Sequence, residues 1–136
     1  MVSSSMRELN FADTKLDHII ESHWSWGEVL NNIEPEYTCL AFLHDGRVKG
    51  AISWRSEANN TLHISKIETF PLYRSTGVGK IFMDELKQYA KGKGFDMIDA
   101  WCELSVVSYY SKMGFYKTQD TDHVSGENII RVEYKL

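Results

Sequence analysis

A chain of 136 residues with 43% hydrophobic and 25% charged residues is long enough to bury one core without disulfide bonds, so we expect a single domain spanning residues 1–136. Its net charge of −4 argues against a broad basic surface for nucleic acid, and no apolar stretch is long enough for a signal peptide or a membrane span, so we expect a cytoplasmic protein. Its two cysteines are far apart and outside any CxxC spacing, which predicts reduced thiols. Its five histidines show no paired-ligand spacing, so we expect no metal site.

The apolar pattern predicts helices first, and then strands that alternate with helices. From Phe11 to about Asn32 apolar residues recur at helical spacing, and His23–Gly27 divides them into two short helices. Further on, an Asp-Gly pair between two apolar runs is typical of a β-hairpin. The order predicts a mixed α/β sheet with helices packed on it and a right-handed crossover. The predicted strands are Tyr37–Leu43, Val48–Trp54, Thr61–Phe70, Phe95–Trp101, Phe115–Thr118 and Asn128–Leu136, and the later helices are Gly77–Lys91 and Ser105–Met113.

The segment Arg74-Ser-Thr-Gly-Val-Gly-Lys80 lies at a predicted strand-to-helix junction and indicates an anion site. Its glycines permit backbone conformations in which consecutive N–H groups converge, and the positive end of the helix dipole adds to their field. Arg74 and Lys80 contribute positive charge. We therefore expect this segment to bind phosphate.

The two commonest nucleotide loops do not fit this segment. A Walker A loop requires glycine at position 74 and serine or threonine at position 81, where the chain has Arg74 and Ile81. A Rossmann fingerprint requires a third glycine at position 82, which is Phe82.

Residues Arg74 to Gly79 resemble the R/Q-x-x-G-x-G/A pattern of the GNAT superfamily of N-acetyltransferases. The preceding Pro71-Leu-Tyr-Arg74 is similar to that family's approach to the loop, and Ser108-Tyr-Tyr-Ser-Lys-Met-Gly-Phe115 is similar to its F-Y-x-K-x-G-F segment. The resemblance covers the chain from about Tyr37 onward. It implies a GNAT-like α/β (α+β) fold: a central, mostly antiparallel sheet with a splayed parallel strand pair and helices on both faces.

The resemblance implies acetyl-CoA (coenzyme A) as the co-substrate. Its pantetheine arm would pair with the strand backbone at Ile67 and Thr69, and Tyr110 aligns with the family's tyrosine that protonates the departing thiolate. Tyr109 is expected to face the core. The pyrophosphate would be held by backbone N–H groups of Arg74, Ser75, Thr76, Gly77, Val78, Gly79 and Lys80, with the hydroxyls of Ser75 and Thr76 in place of the family's usual basic residue.

On the acceptor side the sequence leaves two candidates for the base. By strand alternation, Glu68 points away from Ile67 and Thr69, which would contact the donor. The alternative is that Glu68 is only a strand carboxylate that pairs with Lys66 or Lys80. Glu103 occupies the place where many family members carry Asn, and Val106 departs from the common Ala. Residues proposed to line an acceptor pocket are Trp24, Trp26, Glu28 and Trp54, with core packing as the alternative for each tryptophan.

The resemblance implies direct transfer of an acetyl group from acetyl-CoA to a primary amine in a ternary complex. The alternative is a non-catalytic acyl-CoA-binding regulatory module. The acceptor and the choice between acetyl and another acyl donor stay open, and a homodimer would be common for proteins of this kind. Neither nucleic acid nor a membrane is expected as a partner.

Overall fold

The computed structural model of the chain describes residues 3–9, 36–124 and 127–136. The helices expected between Phe11 and Asn32 lie outside these ranges. The strands are β1 (Ser4–Glu8), β2 (Thr38–His44), β3 (Arg47–Glu57), β4 (Thr61–Thr69), β5 (Met97–Glu103), β6 (Tyr116–Val124) and β7 (Glu127–Lys135), and the helices are α1 (Val78–Gly92) and α2 (Val107–Lys112). Short 3₁₀ turns at Pro71–Tyr73 and Leu104–Val106 follow β4 and β5.

The seven strands form one sheet in the order β1-β2-β3-β4-β5-β7-β6. Every neighbouring pair is antiparallel except β4 and β5, which are parallel and are connected through α1. This is the mixed sheet that the sequence predicts. The hairpin at the Asp-Gly pair is also confirmed, with Asp45 at φ 54° and Gly46 at φ 73°.

The parallel pair is joined over only part of its length. Thr61 pairs with Met97 and Ile64 pairs with Ala100, and pairing ends there. Strand β4 continues to Thr69 and β5 to Glu103, so their carboxyl ends separate. We call this opening the splay; across it the two strands no longer bond to each other.

Strand β4 contains a bulge that decides which side chains face α1. Ile64 lies opposite Trp54 and Lys66 lies opposite Ser53, so Ser65 is an extra residue in β4. The extra residue shifts the alternation of the β4 side chains between the two faces of the sheet. Ile67, opposite Ile52, lies on the α1 face, and Glu68 lies on the other face.

The main core lies between the sheet and the two helices. Phe42 of β2 stacks on Phe82 of α1 with ring centroids 4.5 Å apart, and Tyr110 of α2 joins the same cluster. A smaller cluster on the opposite face contains Cys39, Ala41, Ala51 and Phe70. Both cysteines are buried thiols outside any disulfide bond, as predicted.

At Gly50 of β3, helix α1 and strand β4 leave no room for a side chain. A Cβ atom on this residue would lie 2.6 Å from the carbonyl oxygen of Glu68 and 2.7 Å from a ring carbon of Phe82. Only glycine therefore fits between the helix and the sheet at this position.

The edge strands differ from the sequence prediction. Strand β1 was not predicted, and β6 extends to Val124 instead of ending at Thr118. Both lie at the edges of the sheet, where side chains are mostly polar and the apolar alternation that marks a strand is weak.

Candidate active site

A cavity of about 320 Å³ opens at the splay, between the carboxyl end of β4, the loop before α1, and α2. It brings together most of the residues that the sequence singled out for donor binding and catalysis. They come from three segments that are distant in sequence. The lining residues are Ile67, Glu68, Thr69, Arg74, Ser75, Gly79, Val106, Tyr109 and Tyr110.

The loop before α1 has the backbone geometry of an anion site. Gly77 caps the helix at φ 82° and carries no side chain, and Ser75 also has a positive φ of 64°. The first N–H groups of a helix have no partner within it, and the helix dipole makes this end positive. The hydroxyl of Thr76 donates to the carbonyl of Tyr73 at 2.6 Å, so it stabilises the loop, whereas Ser75 faces the cavity.

Arg74 ties the loop to the end of β4. Its Nε donates to the carbonyl of Thr69, and its Nη2 donates to the Glu68 carboxylate, each at 3.0 Å. This pairing places Glu68 at the cavity wall with its charge next to a guanidinium. Lys80 is exposed and is not among the lining residues.

The two neighbouring tyrosines of α2 have different environments. Tyr110 is 6% exposed, and its ring lies edge-on to Phe115 at 5.2 Å. Burial, together with the nearby Cys102 and Tyr109, raises the pKa of the Tyr110 phenol well above its ordinary value, so it is protonated throughout the neutral range.

The expectation that Tyr109 faces the core is wrong. Its side chain is 39% exposed and lines the cavity, where its hydroxyl lies 3.5 Å from the position of a Cβ on Gly79. The short α2 helix therefore presents both tyrosines to the cavity, Tyr110 from the core side and Tyr109 from the open side. Sequence reasoning missed Tyr109 because only Tyr110 aligns with a functional residue of the motif.

The residues proposed for the acceptor side are dispersed. Glu103 is exposed at the end of β5 and does not line the cavity. Trp54 is 8% exposed and packs edge-on against Tyr89 and Phe95, so its position matches the core-packing alternative. Trp24, Trp26 and Glu28 lie outside the described residues.

Within the described ranges, no group of three or more His, Cys, Asp or Glu side chains is arranged to hold a metal ion. In the same ranges, no helix is long and apolar enough to cross a membrane.

Residues 4–115 match the family model described as the acetyltransferase (GNAT) family, and this match covers most of the chain. The chain belongs to the GNAT family. This match confirms the resemblance noted in the sequence of this GNAT protein.

Solved GNAT structures have the same fold at low sequence identity. An acetyltransferase of Bacillus subtilis in complex with CoA is 18% identical with a TM-score of 0.71, over 98% of this chain and 99% of that chain. A GNAT acetyltransferase of Elizabethkingia anophelis with acetyl-CoA bound is 12% identical with a TM-score of 0.74, over 98% of each chain. The ribosomal-protein-S18-alanine N-acetyltransferase of Escherichia coli is 14% identical with a TM-score of 0.71, over 98% of this chain and 94% of that chain. Membership in the GNAT family supports an acetyltransferase activity that uses a CoA thioester as donor.

Proposed function

We propose that this protein transfers an acetyl group from acetyl-CoA to a primary amine by direct attack in a ternary complex. The observation that carries the proposal is the single cavity at the splay. It joins strand backbone that faces the gap, a helix N-terminus and two tyrosine hydroxyls within one space. Each of these matches one part of the donor: its amide-bearing arm, its pyrophosphate and its sulfur.

The donor arm fits the splay because β4 lacks a partner beyond Ile64 on its β5 side. The amides of a pantetheine arm can bond to the backbone of Ile67 and Thr69 as an added strand would, with the Thr69 carbonyl also accepting from Arg74. The pyrophosphate then reaches the first turn of α1, where Val78 and Gly79 supply backbone N–H groups.

Tyr110 is the proposed general acid. When the amine nitrogen attacks the acetyl carbonyl carbon and the carbon–sulfur bond breaks, negative charge appears on sulfur. A phenol held neutral by burial can donate its hydrogen bond, and finally its proton, to that sulfur. The raised pKa means that this donor keeps its proton in alkaline solution beyond the range of an ordinary tyrosine.

Glu68 is the better-placed base of the two candidates. It lines the cavity and faces the side of the sheet opposite α1, where an acceptor can approach without displacing the donor arm. It can accept the proton of the acceptor ammonium directly or through a water. Glu103 lies on the same face at the end of the neighbouring strand, so it stays the alternative.

The proposal is tested by measuring thiol release from acetyl-CoA with a panel of amines, using wild type, Tyr110→Phe and Tyr116→Phe. The Tyr110→Phe variant should lose about 100-fold in kcat while its dissociation constant for CoA stays unchanged, because a positioned acid contributes roughly that much. Tyr116 is exposed on β6, so Tyr116→Phe is the matched control and should behave as wild type.

Two outcomes would contradict the proposal. Unchanged turnover in Tyr110→Phe would remove the acid assignment. A wild-type protein that binds CoA tightly but acetylates no amine would favour the binding module instead.

A further inference from the structure

A second cavity, of about 330 Å³, lies beside the turn between β3 and β4. We call it the far-face cavity. Its lining combines charged side chains with one partly exposed tryptophan, unlike the largely apolar wall of the cavity at the splay. The lining residues are Glu57, Ala58, Asn59, His63, Asp99, Trp101, Asp120 and Arg131.

The far-face cavity lies on the side of the sheet opposite α1. His63 is opposite Arg55 and alternates with Leu62 and Ile64, which face α1 in the main core. Asp99 and Trp101 alternate in the same way with the core residues of β5. Glu68 also lies on this side, so the far-face cavity and the proposed base share one face of the sheet.

A buried carboxylate forms the base of this cavity. Asp99 is 5% exposed, and its two oxygens meet Nδ1 of His63 at 2.8 Å and Nε of Arg131 at 2.6 Å. Burial alone would raise the pKa of Asp99, but hydrogen bonds from these two partners outweigh burial and lower it. A buried carboxylate held by two cationic partners at the base of a cleft is a candidate binding residue, although such a network also has a structural role.

The charge around the far-face cavity has a negative excess. Arg131 pairs with Asp99, with Glu133 at 2.8 Å and with Asp120 at 3.5 Å, so three carboxylates share one guanidinium. Glu57 on the other wall is paired with Arg55 at 2.6 Å and adds no net charge. The cavity therefore favours a cationic ligand.

Trp101 connects this charge to the splay. It is the first residue of β5 after the last parallel pair, Ile64 with Ala100, and its side chain is 39% exposed. An exposed indole beside carboxylates is a favourable contact for an ammonium group, through the negative face of the ring. The far-face cavity thus begins where the two strands separate.

We propose that the far-face cavity binds a second cationic group of the acceptor, so that the preferred substrate is an amine with another ammonium or guanidinium at a fixed distance. This inference rests on the proposed acetyl transfer. The reacting nitrogen lies at Glu68, and the second cation lies between Trp101, Asp120 and the Asp99 network.

The distance between the two groups follows from the strand. Glu68 is five residues beyond His63 along β4. At about 3.3 Å per residue, the two residues are roughly 15 Å apart along the strand, and the bulge at Ser65 shortens this distance. Lys66 lies between His63 and Glu68 on the same face, opposite Ser53. Because its side chain is positively charged, the excess of negative charge is confined to the far-face cavity. An acceptor with two cations roughly 10–15 Å apart spans the distance between Glu68 and the far-face cavity.

The test compares two acceptors of equal length, 1,8-diaminooctane and 8-aminooctan-1-ol, which differ only in the charge of the far end. Wild type should favour the diamine by about tenfold in kcat/KM, the size of one partly desolvated cation–aromatic and carboxylate contact. In Trp101→Leu and in Asp120→Asn this preference should fall to about threefold or less. Kinetics with the amino alcohol and the KM for acetyl-CoA should stay at wild-type values.

Asp84→Asn is the matched charge control, because Asp84 is exposed on α1 on the other face and should leave the preference intact. An equal preference in wild type and in both cavity variants, or no preference in wild type, would overturn the inference.

If wild type acetylates no amine at all, the proposed function fails and the cavity is then judged by binding alone. Calorimetric titration of 1,8-diaminooctane should show binding that Trp101→Leu weakens at least threefold, and absence of binding would overturn the inference in that case as well.

Discussion

Tyr109 and Tyr110 are adjacent in sequence but differ in what surrounds their hydroxyl groups. The Tyr109 hydroxyl reaches from α2 toward Gly79 and Thr69, so it lies at the positive end of α1 where a donor phosphate or amide would be. Burial raises the pKa of both phenols, but the Tyr109 side chain is 39% exposed whereas that of Tyr110 is 6% exposed. We therefore assign the two phenols different roles, Tyr110 in proton transfer and Tyr109 in donor binding.

Tyr109→Phe should weaken CoA binding about three- to tenfold, since one hydrogen bond contributes about 1 kcal/mol. The kcat at saturating acetyl-CoA should change little. Calorimetric titration with CoA and steady-state kinetics measure the two effects. A variant with normal CoA affinity and greatly reduced kcat would transfer the acid role to Tyr109.

The choice of base is also a matter of single residues. Glu68→Gln should lower kcat/KM for the amine about 100-fold, because an amide cannot accept the proton of the acceptor ammonium. Glu103→Gln, which removes an exposed carboxylate from the same face, is the control. If Glu103→Gln has the larger effect, the assignment passes to Glu103.

At the scale of elements, the N-terminus of α1 and the strands beneath it carry the site. Sequence reasoning located this helix start to within one residue, because the glycine spacing that produces it is local: Gly77 was predicted as the first helical residue and is its cap. The splay was also predicted, from the resemblance to the family. It did not predict the bulge at Ser65 or the pairing of Arg74 with Glu68, since both depend on strand register and on a contact between separate elements.

Gly79→Glu should abolish measurable CoA binding, because it places a carboxylate in the first turn of α1, where the phosphate oxygens would lie. Gly79→Ala is the matched control. Its Cβ would lie 3.5 Å from the Tyr109 hydroxyl and 3.7 Å from the Thr69 hydroxyl, which are ordinary contacts, so the fold should be kept. Intact CoA affinity in Gly79→Glu, measured by calorimetry, would remove the phosphate site from this loop.

Gly50→Ala should destabilise the protein by about 1–3 kcal/mol, the usual effect of forcing an extra group into a packed core. Its Cβ would overlap the backbone of β4 and the ring of Phe82. Gly92→Ala, at the end of α1 with open space around it, is the control and should be neutral or slightly stabilising. Urea unfolding measures both. Equal stability of the two variants would contradict the close approach of α1 to β3.

At the scale of the whole molecule, the sheet consists of two halves that meet at the short parallel pairing of β4 and β5. Sequence reasoning identified both halves and the helix that links them. It missed β1 and most of β6 because edge strands bury one face weakly and their residues do not alternate clearly. It assigned no role to the charged residues of the far face, because their pairing across β4, β5 and β7 appears only when the strands are aligned.

The Asp99 network joins these halves and should make stability depend on pH. The folded-state pKa of Asp99 is lowered, so its contribution is present above its ordinary pKa of 3.8 and is lost as pH falls through and below that value. Urea unfolding at pH 7 and pH 2.5 should therefore show a larger loss of stability in wild type than in Asp99→Asn. Equal losses would exclude Asp99 as a source of acid sensitivity.

The splay has a further consequence for the molecule when no donor is bound. Beyond the last parallel pair, β4 and β5 no longer bond to each other, and their facing edges line the gap inside the sheet. Open edges are templates for pairing with another chain, the usual start of β-aggregation. A ligand that bonds to these edges would also block them. The donor would then act as a protective agent during storage and refolding, and the protein should keep best in solution with CoA present.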